Sequence, residues 1–385
     1  MAKPDLILNG YPLLIRHKGV GAYTLRLIRG LLQHAPELSF RVLIPEPLLS
    51  VVSDLPPGVC EVVTGRPPIL RSIAQDIYWS HRIGRHAARH YPESVFHSPA
   101  EFWSLSRPGK TVVTLHDCIY RWFPRLQGGR IRKWWWHATE RYARQANLVL
   151  TDSECSRRDL IQMAGISDGR CKVLYPWLNQ EAIHQRALAD CEPVRRRLSL
   201  PDRFFLYFGG FNVNKNVEFL IAAYAAAAEK CTLPPLVLGG HIPTDLQLAV
   251  CDIYGAIHRS GLKPQAVITP GFIEEEDIPG LMAAADLLIY PSKYEGFGYP
   301  PIEAMAAETA VLVADTSSLP EVVRREECRF SLNDPAELAA KLTQATDDPS
   351  QYRCEIPDEF TEQTGIARYL GLLRVPQHGD SCRCP

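Results

Sequence analysis

The feature that most constrains this chain is an alternation that runs twice: short β-rich runs separated by stretches of helical period, an interruption, and then the same pattern again. Neighbouring parallel strands need crossover connections, and helices supply them, so the alternation predicts an α/β fold with parallel sheets. The first series is Leu6-Ile7-Leu8, Val42-Leu43-Ile44, Val95-Phe96-His97, Val112-Val113-Thr114-Leu115, Leu148-Val149-Leu150 and Val173-Leu174-Tyr175. After Leu6-Ile7-Leu8 comes a loop through Gly19 and Gly21, then a helix with Leu25, Ile28 and Leu32 on one face. Strand signals stop between Pro176 and Pro201, where Cys191-Glu-Pro-Val-Arg-Arg-Arg197 reads as a polar connector or a surface helix. They resume with Phe204 to Phe208, Leu236-Val237-Leu238, Val267-Ile268-Thr269, Leu287 to Tyr290 and Val311-Leu312-Val313. A length of 385 residues suits two such domains, here 1–180 and 181–357. Residues 358–385 hold a last helix, with Ile366, Tyr369, Leu370 and Leu373 on one face, expected to pack back toward the first domain. A polar, frayed tail is expected beyond Pro376.

The stretch Tyr290-Pro-Ser-Lys-Tyr-Glu295-Gly-Phe-Gly-Tyr-Pro300-Pro-Ile-Glu303-Ala-Met-Ala306 joins an apolar strand to a helix through a glycine-bearing loop. Proline suits the opening of a helix, where a missing N–H costs nothing. The amino end of that helix, with its dipole and unpaired N–H groups, suits an anion such as a diphosphate. Glu295 falls in the loop and Glu303 in the first turn. Carboxylates beside a phosphate site are better placed to hold hydroxyls than phosphates, which points to a sugar and a ribose. On the residues alone the alternative stays open that Glu303 serves the helix dipole or a capping box and Glu295 is a solvated loop charge.

With these residues in place, Gly271 to Val323 resembles the retaining glycosyltransferases of the GT-B fold known as family 4, also called glycosyl transferases group 1, and is mannosyltransferase-like. Their two glutamates separated by seven residues are matched by Glu295 and Glu303, and the likeness continues through Ser317-Ser-Leu-Pro-Glu-Val-Val323. Tyr207-Phe-Gly-Gly-Phe-Asn-Val-Asn-Lys215-Asn is similar to the segment whose lysine binds the donor diphosphate. Gly19-Val-Gly21-Ala-Tyr23 is similar to the N-terminal glycine loop, and Thr114-Leu-His116-Asp117 and Thr151-Asp-Ser153-Glu-Cys-Ser156 to further N-domain motifs. The resemblance implies two Rossmann-like domains with a deep interdomain cleft, the first taking the acceptor and the second the nucleotide-sugar donor. It assigns His116, Glu295 and Lys215 to catalysis and Glu303, Gly296, Phe297, Gly298, Gly209, Gly210, Asn214, Phe272 and Ile273 to the donor. Gly19, Gly21 and Asp117 fall to an acceptor or phosphate loop. There are departures: Gly210 stands where arginine is common, Asn214 where a basic residue is, Glu308 where glycine is, and Pro176-Trp177 where Pro-Asn-Gly is.

The implied reaction moves a hexose, with retention, from a nucleotide diphosphate sugar (GDP-mannose or a UDP-sugar) to a hydroxyl of a saccharide or lipid-linked saccharide. A fixed cation and aligned N–H dipoles would stabilise the leaving diphosphate. No Asp-x-Asp occurs, and Glu274-Glu275-Glu276-Asp277 sits where a helix begins, so metal-independent transfer without a cofactor is expected, the nucleotide sugar being a co-substrate. His86 and His90 have i,i+4 spacing but lack the glutamate of a metalloprotease helix, and read as a basic surface helix. Forty-two basic against forty-three acidic residues give no general pull toward nucleic acid. The start of the chain lacks a signal-peptide pattern, and no window approaches the roughly 20 apolar residues of a bilayer span, which suits the cytoplasm. Eleven scattered cysteines fit a reducing compartment, with Cys382 and Cys384 reactive if exposed. Arg130-Ile-Arg-Lys-Trp-Trp-Trp136 interleaves cations with large aromatics; membrane contact at the inner face, stacking on acceptor sugars, and a helix with core tryptophans remain three readings of it. The rival to an enzyme is a nucleotide-sugar-binding module that kept the fold and lost the reaction.

Overall fold

The computed structural model describes residues 4–15, 19–67, 73–243 and 249–374. Cys382, Cys384 and the expected tail lie outside the described residues. The chain divides into two compact units, Met1–Trp177 with Glu362–Pro385, and Leu178–Thr361.

Among the described residues the first unit holds seven strands: β1 (Leu6–Asn9), β2 (Phe40–Pro45), β3 (Cys60–Val63), β4 (Val95–Ser98), β5 (Lys110–Thr114), β6 (Leu148–Thr151) and β7 (Cys171–Val173). Their order is β3-β2-β1-β4-β5-β6-β7 with every pairing parallel, as in Leu6↔Phe40 and Leu6↔Val95. The chain moves outward one way from β1 and the other way from β4, so the order reverses between them; such a switch point is where open α/β sheets place ligands, at the carboxyl ends of the strands. Side-chain alternation sends Leu6, Leu8 and Val42 to one face and Ile7, Leu43 and Phe96 to the other, which gives each face its own apolar cluster. The helix Gly19–His34 fills the first face with Leu27, Ile28 and Leu31.

The helix Glu362–Arg374 completes that same face through Ile366 and Tyr369. Small residues let it approach: a Cβ on Gly30 would lie 2.7 Å from Ile366 Cδ1, and one on Gly365 would lie 2.4 Å from the Trp177 ring. The buried Tyr369 hydroxyl sits 2.7 Å from Nδ1 of the equally buried His97 on β4.

The second unit holds β8 (Phe205–Phe208), β9 (Leu236–Gly239), β10 (Val267–Gly271), β11 (Leu287–Tyr290), β12 (Ala310–Ala314) and β13 (Arg329–Phe330) among its described residues. The order β10-β9-β8-β11-β12-β13 is again all parallel, with its switch point between β8 and β11. The edge strands β3 and β13 have no counterpart in the sequence reading. Each pairs on one side only, and β13 is two residues long, so neither needs an apolar run.

The polar connector is a helix, Gln180–Arg197, capped by Asn179, whose side-chain oxygen accepts from the Ala182 N–H (2.9 Å). It buries Ala187 and Val194 against the helix Ile278–Ala284, where a Cβ on Gly280 would meet the Asp190 backbone at 2.8 Å. The acidic run forms the short turn Glu275–Asp277 ahead of that helix, and Asp277 is buried in an ion pair with Arg197. A carboxylate held in this way is structural.

Candidate functional site

In the second unit the residues after β8 and after β11 flank the switch point, and the motif residues meet there. Lys215 closes the one-turn helix Val213–Lys215 that follows β8. Its ammonium donates to Glu295 Oε1 (2.7 Å) and to the Tyr290 hydroxyl (2.8 Å), with side-chain exposures of 18% for the lysine and 13% for the glutamate. At that burial the pair is shielded from bulk water yet open on one side, which suits a cation that must meet a charged ligand.

Asn214 is buried and clamps the two loops: its carbonyl accepts from the Lys293 N–H (2.7 Å), and its Nδ2 donates to the Tyr294 carbonyl (3.2 Å). These two bonds tie the loop that carries Lys215 to the loop that carries Glu295, while Asn214 Oδ1 is buried without a hydrogen-bond partner. Two serines fix the loop from the far side. Ser317 Oγ accepts from the Glu295 N–H (3.0 Å), while Ser318 Oγ donates toward the carbonyls of Glu295 (3.0 Å) and Phe297 (2.8 Å).

Gly298, at φ +114°, turns the chain into the helix Tyr299–Ala306. A side chain would be strained there. Pro300 and Pro301 bring no N–H to the first turn, so an anion at this end would be met by backbone from Gly296 to Tyr299. Phe297 is buried, ring edge to face with Phe360 (5.2 Å). Glu303 lies one turn into the helix and is partly exposed. Tyr290 reports where the two carboxylates act: burial first, then Glu295 and, more weakly, Glu303 hold its phenol well above the usual tyrosine range. Both acids thus load one phenol that also takes the Lys215 ammonium. Glu308, where the family has glycine, adopts φ +60°, a left-handed conformation that favours glycine.

The carboxyl ends of β8, β9 and β10 are paved with glycine. The Gly209 N–H donates to the Gly239 carbonyl, the Gly240 N–H to the Gly271 carbonyl (both 3.2 Å), and a Cβ on Gly240 would stand 2.5 Å from the Gly209 carbonyl. The Tyr207 hydroxyl donates to the Gly210 carbonyl. Beyond β10, Phe272 is half exposed and Ile273 buried.

In the first unit, His116 and Asp117 follow β5 and Asp152 follows β6. His116 Nδ1 donates to Asp152 Oδ2 (2.9 Å) and Nε2 to the Pro99 carbonyl (3.0 Å). A carboxylate and a carbonyl both accept, so this pairing favours hydrogen on both ring nitrogens, the imidazolium form. Burial opposes that charge. The charge and hydrogen bond of Asp152, with Glu101 and the Pro99 carbonyl, outweigh it and push the pKa up to about 9. Burial instead drives both neighbours toward their neutral forms: it pushes Asp117 up to about 7, despite the Ile119 N–H it accepts (2.8 Å), and His97 down to about 3, with the charge on His116 adding to the effect. Tyr23 stands edge-on to the His116 ring at 4.9 Å.

The loop expected at Gly19 and Gly21 is instead the opening of the helix Gly19–His34, with Gly21 buried inside it. The helical period of Leu25, Ile28 and Leu32 extends back to Gly19 because nothing between breaks it, and the helix brings Tyr23 to His116. Asp152, Tyr290 and Tyr207 were not singled out as functional residues from sequence. Asp152 could have been, since it follows β6 as His116 follows β5. Among the described residues no group of three or more His, Cys, Asp or Glu could hold a metal ion, and no helix is long and apolar enough to cross a membrane.

A folded pKa of about 9 against 6.5 means His116 stabilises the fold below pH 6.5 and loses that contribution as pH rises through 9. In Asp152→Asn the largest opposing charge is gone, and burial is expected to bring the pKa to 6.5 or below. Imidazole NMR titration of both proteins checks this, and an unshifted His116 titration in the variant would contradict it.

Two doubly wound parallel units in tandem are the architecture of the GT-B fold. The model of Glycosyltransferase Family 4 matches residues 17–182, and that of Glycosyl transferases group 1 matches residues 202–348. The chain belongs to this family of glycosyltransferases. It is 28% identical to the O-antigen chain mannosyltransferase B of Escherichia coli over 69% of this chain and 68% of that protein. It is 29% identical to the serotype-specific mannosyltransferase WbdA of Escherichia coli over 68% of this chain but only 33% of that longer protein. Among solved structures, the Anabaena protein Alr3699/HepE in complex with UDP and glucose shares the fold, with TM-score 0.68, 21% identity and coverage of 96% of this chain and 98% of that one.

Proposed function

We propose that the chain transfers a hexose from a nucleoside diphosphate sugar to a hydroxyl of a saccharide, free or lipid-linked, with retention of anomeric configuration and without a metal. The observation that carries this reading is the Lys215–Glu295 pair at the switch point, beside a glycine-paved strand edge. As the sugar–phosphate bond breaks, negative charge grows on the leaving diphosphate. The Lys215 ammonium and the backbone from Gly296 to Tyr299 stabilise it. Glu295 and Glu303 take the hydroxyls of sugar and ribose, Gly209 and Gly210 let the backbone approach the phosphates, and Phe272 and Ile273 border the base. Asn214 serves the donor through the loop it clamps. In the first unit, which takes the acceptor, His116 acts as a fixed cation beside Asp117, a carboxyl whose pKa burial pushes up to about 7.

Relatives named mannosyltransferases favour GDP-mannose, while a structural neighbour in complex with UDP and glucose keeps UDP-sugars in the panel. Incubating the protein with GDP-mannose, UDP-glucose and related donors should raise its melting temperature with one class and, given acceptor, release nucleotide at the same rate in EDTA. Stabilisation without nucleotide release across an acceptor panel would mean a binding module, and no stabilisation by any donor would end the reading.

A further inference from the structure

The helix Arg130–Ala143 buries Trp135, Thr139 and Tyr142 against its own unit and turns Trp134, His137 and Arg141 outward at helical spacing. The Trp-rich segment is therefore split. Trp135 is core and Trp136 stacks flat on Tyr120 (4.4 Å, 9°), whereas Trp134 is 47% exposed. With Trp103 and Arg107 from the segment after β4, and with Gln145, the outward side chains line a groove of about 450 Å³.

The groove has a definite chemistry. The indoles of Trp103 and Trp134 form a corner, their ring centroids 5.5 Å apart and inclined at 69°. The Arg107 guanidinium is fixed by hydrogen bonds to Gln145 and lies 5.2 Å from the Tyr142 ring centroid. Arg141 is exposed, and the acid nearest in sequence, Glu140, is buried, bonded to Arg121 and Tyr120, with its Oε2 3.8 Å from His137. No Asp or Glu is among the lining side chains, so the groove is cationic with aromatic walls. Such walls take the apolar faces of sugar rings, and the guanidinium groups take an anion. From Trp134 to Gln145 it follows the helix for about 16 Å, at 1.5 Å per residue. Its far end lies just ahead of β5 and β6, at the amino ends of strands whose carboxyl ends carry His116 and Asp152, roughly 17 Å away by strand rise.

The geometry points to a second saccharide-binding site on the first unit, separate from the transfer site, that holds an anionic portion of the acceptor chain. Sugar rings lie on Trp103 and Trp134, and a phosphate or carboxylate lies on Arg141 and Arg107. The inference rests on the transferase reading only for the claim that the bound saccharide is an acceptor.

The test titrates the full chain with three oligosaccharides of equal length, one neutral, one phosphorylated and one containing uronate, and separately with anionic phospholipid vesicles. Binding is read by indole fluorescence and calorimetry. At least one charged oligosaccharide should bind tenfold or more tightly than the neutral one, and which of the two does so identifies the anion. Trp134→Ala and Arg141→Ala should each weaken that binding at least tenfold while nucleotide-sugar hydrolysis stays within twofold of the parent. Equal binding of neutral and charged probes, parent-like binding by both variants, or a response to vesicles alone would overturn the site. Because donor hydrolysis is read independently, such a result would leave the transferase reading standing.

Discussion

Lys215→Ala should lower the rate of transfer at saturating donor by about 10²- to 10³-fold, the scale observed when one preorganised group facing developing negative charge is removed. Two effects act in the same direction. The leaving diphosphate loses its cation, and Glu295, whose carboxylate now sits 2.7 Å from the ammonium, is left as an uncompensated negative charge beside the phosphates. The ion pair also bears on stability. The structure makes Lys215 the partner of a carboxylate only 13% exposed, so unfolding should become easier by up to about 3 kcal/mol. Nucleotide release measured well below the melting temperature separates the two, and Lys215→Ala with Glu295→Gln should recover stability but not turnover. A Lys215→Ala protein with normal transfer would remove the lysine from the site.

Glu303→Ala should cost about 10- to 100-fold in kcat/KM, corresponding to loss of a charge-assisted hydrogen bond to a sugar or ribose hydroxyl. Stability should change by no more than about 1 kcal/mol, because Glu303 is partly exposed near a helix amino end. The phenol of Tyr290 gives a second readout. With one of the carboxylates that raise its pKa removed, it should ionise at lower pH, followed by ultraviolet difference spectroscopy. Parent-like kinetics together with a shifted Tyr290 would confine Glu303 to an electrostatic role on that tyrosine.

Much of the fold was legible because strands buried on both faces of parallel sheets read as unbroken apolar runs, as at Leu236 to Leu238 and Val311 to Val313. Cys60–Val63 and Arg329–Phe330 escaped because an edge strand is held by one neighbour and needs no such run. Glu295, Glu303 and Lys215 stood out through their loop and helix setting. Tyr207 and Tyr290 did not, since a tyrosine inside an apolar strand looks like core, and only the fold turns the Tyr290 hydroxyl toward Lys215. The charge state of His116 was out of reach for the same reason. It depends on Asp152 and the Pro99 carbonyl, brought to it from two neighbouring strands.

The switch point between β8 and β11 is expected to hold a diphosphate. A crystal structure of the chain with a bound nucleoside diphosphate tests it most directly. A phosphate oxygen is expected about 2.7–3.0 Å from Lys215 Nζ, the usual span of a charge-assisted hydrogen bond, with the backbone of Gly296 to Tyr299 on the other side. A diphosphate bound elsewhere, with Lys215 and Glu295 still paired only to each other, would contradict it.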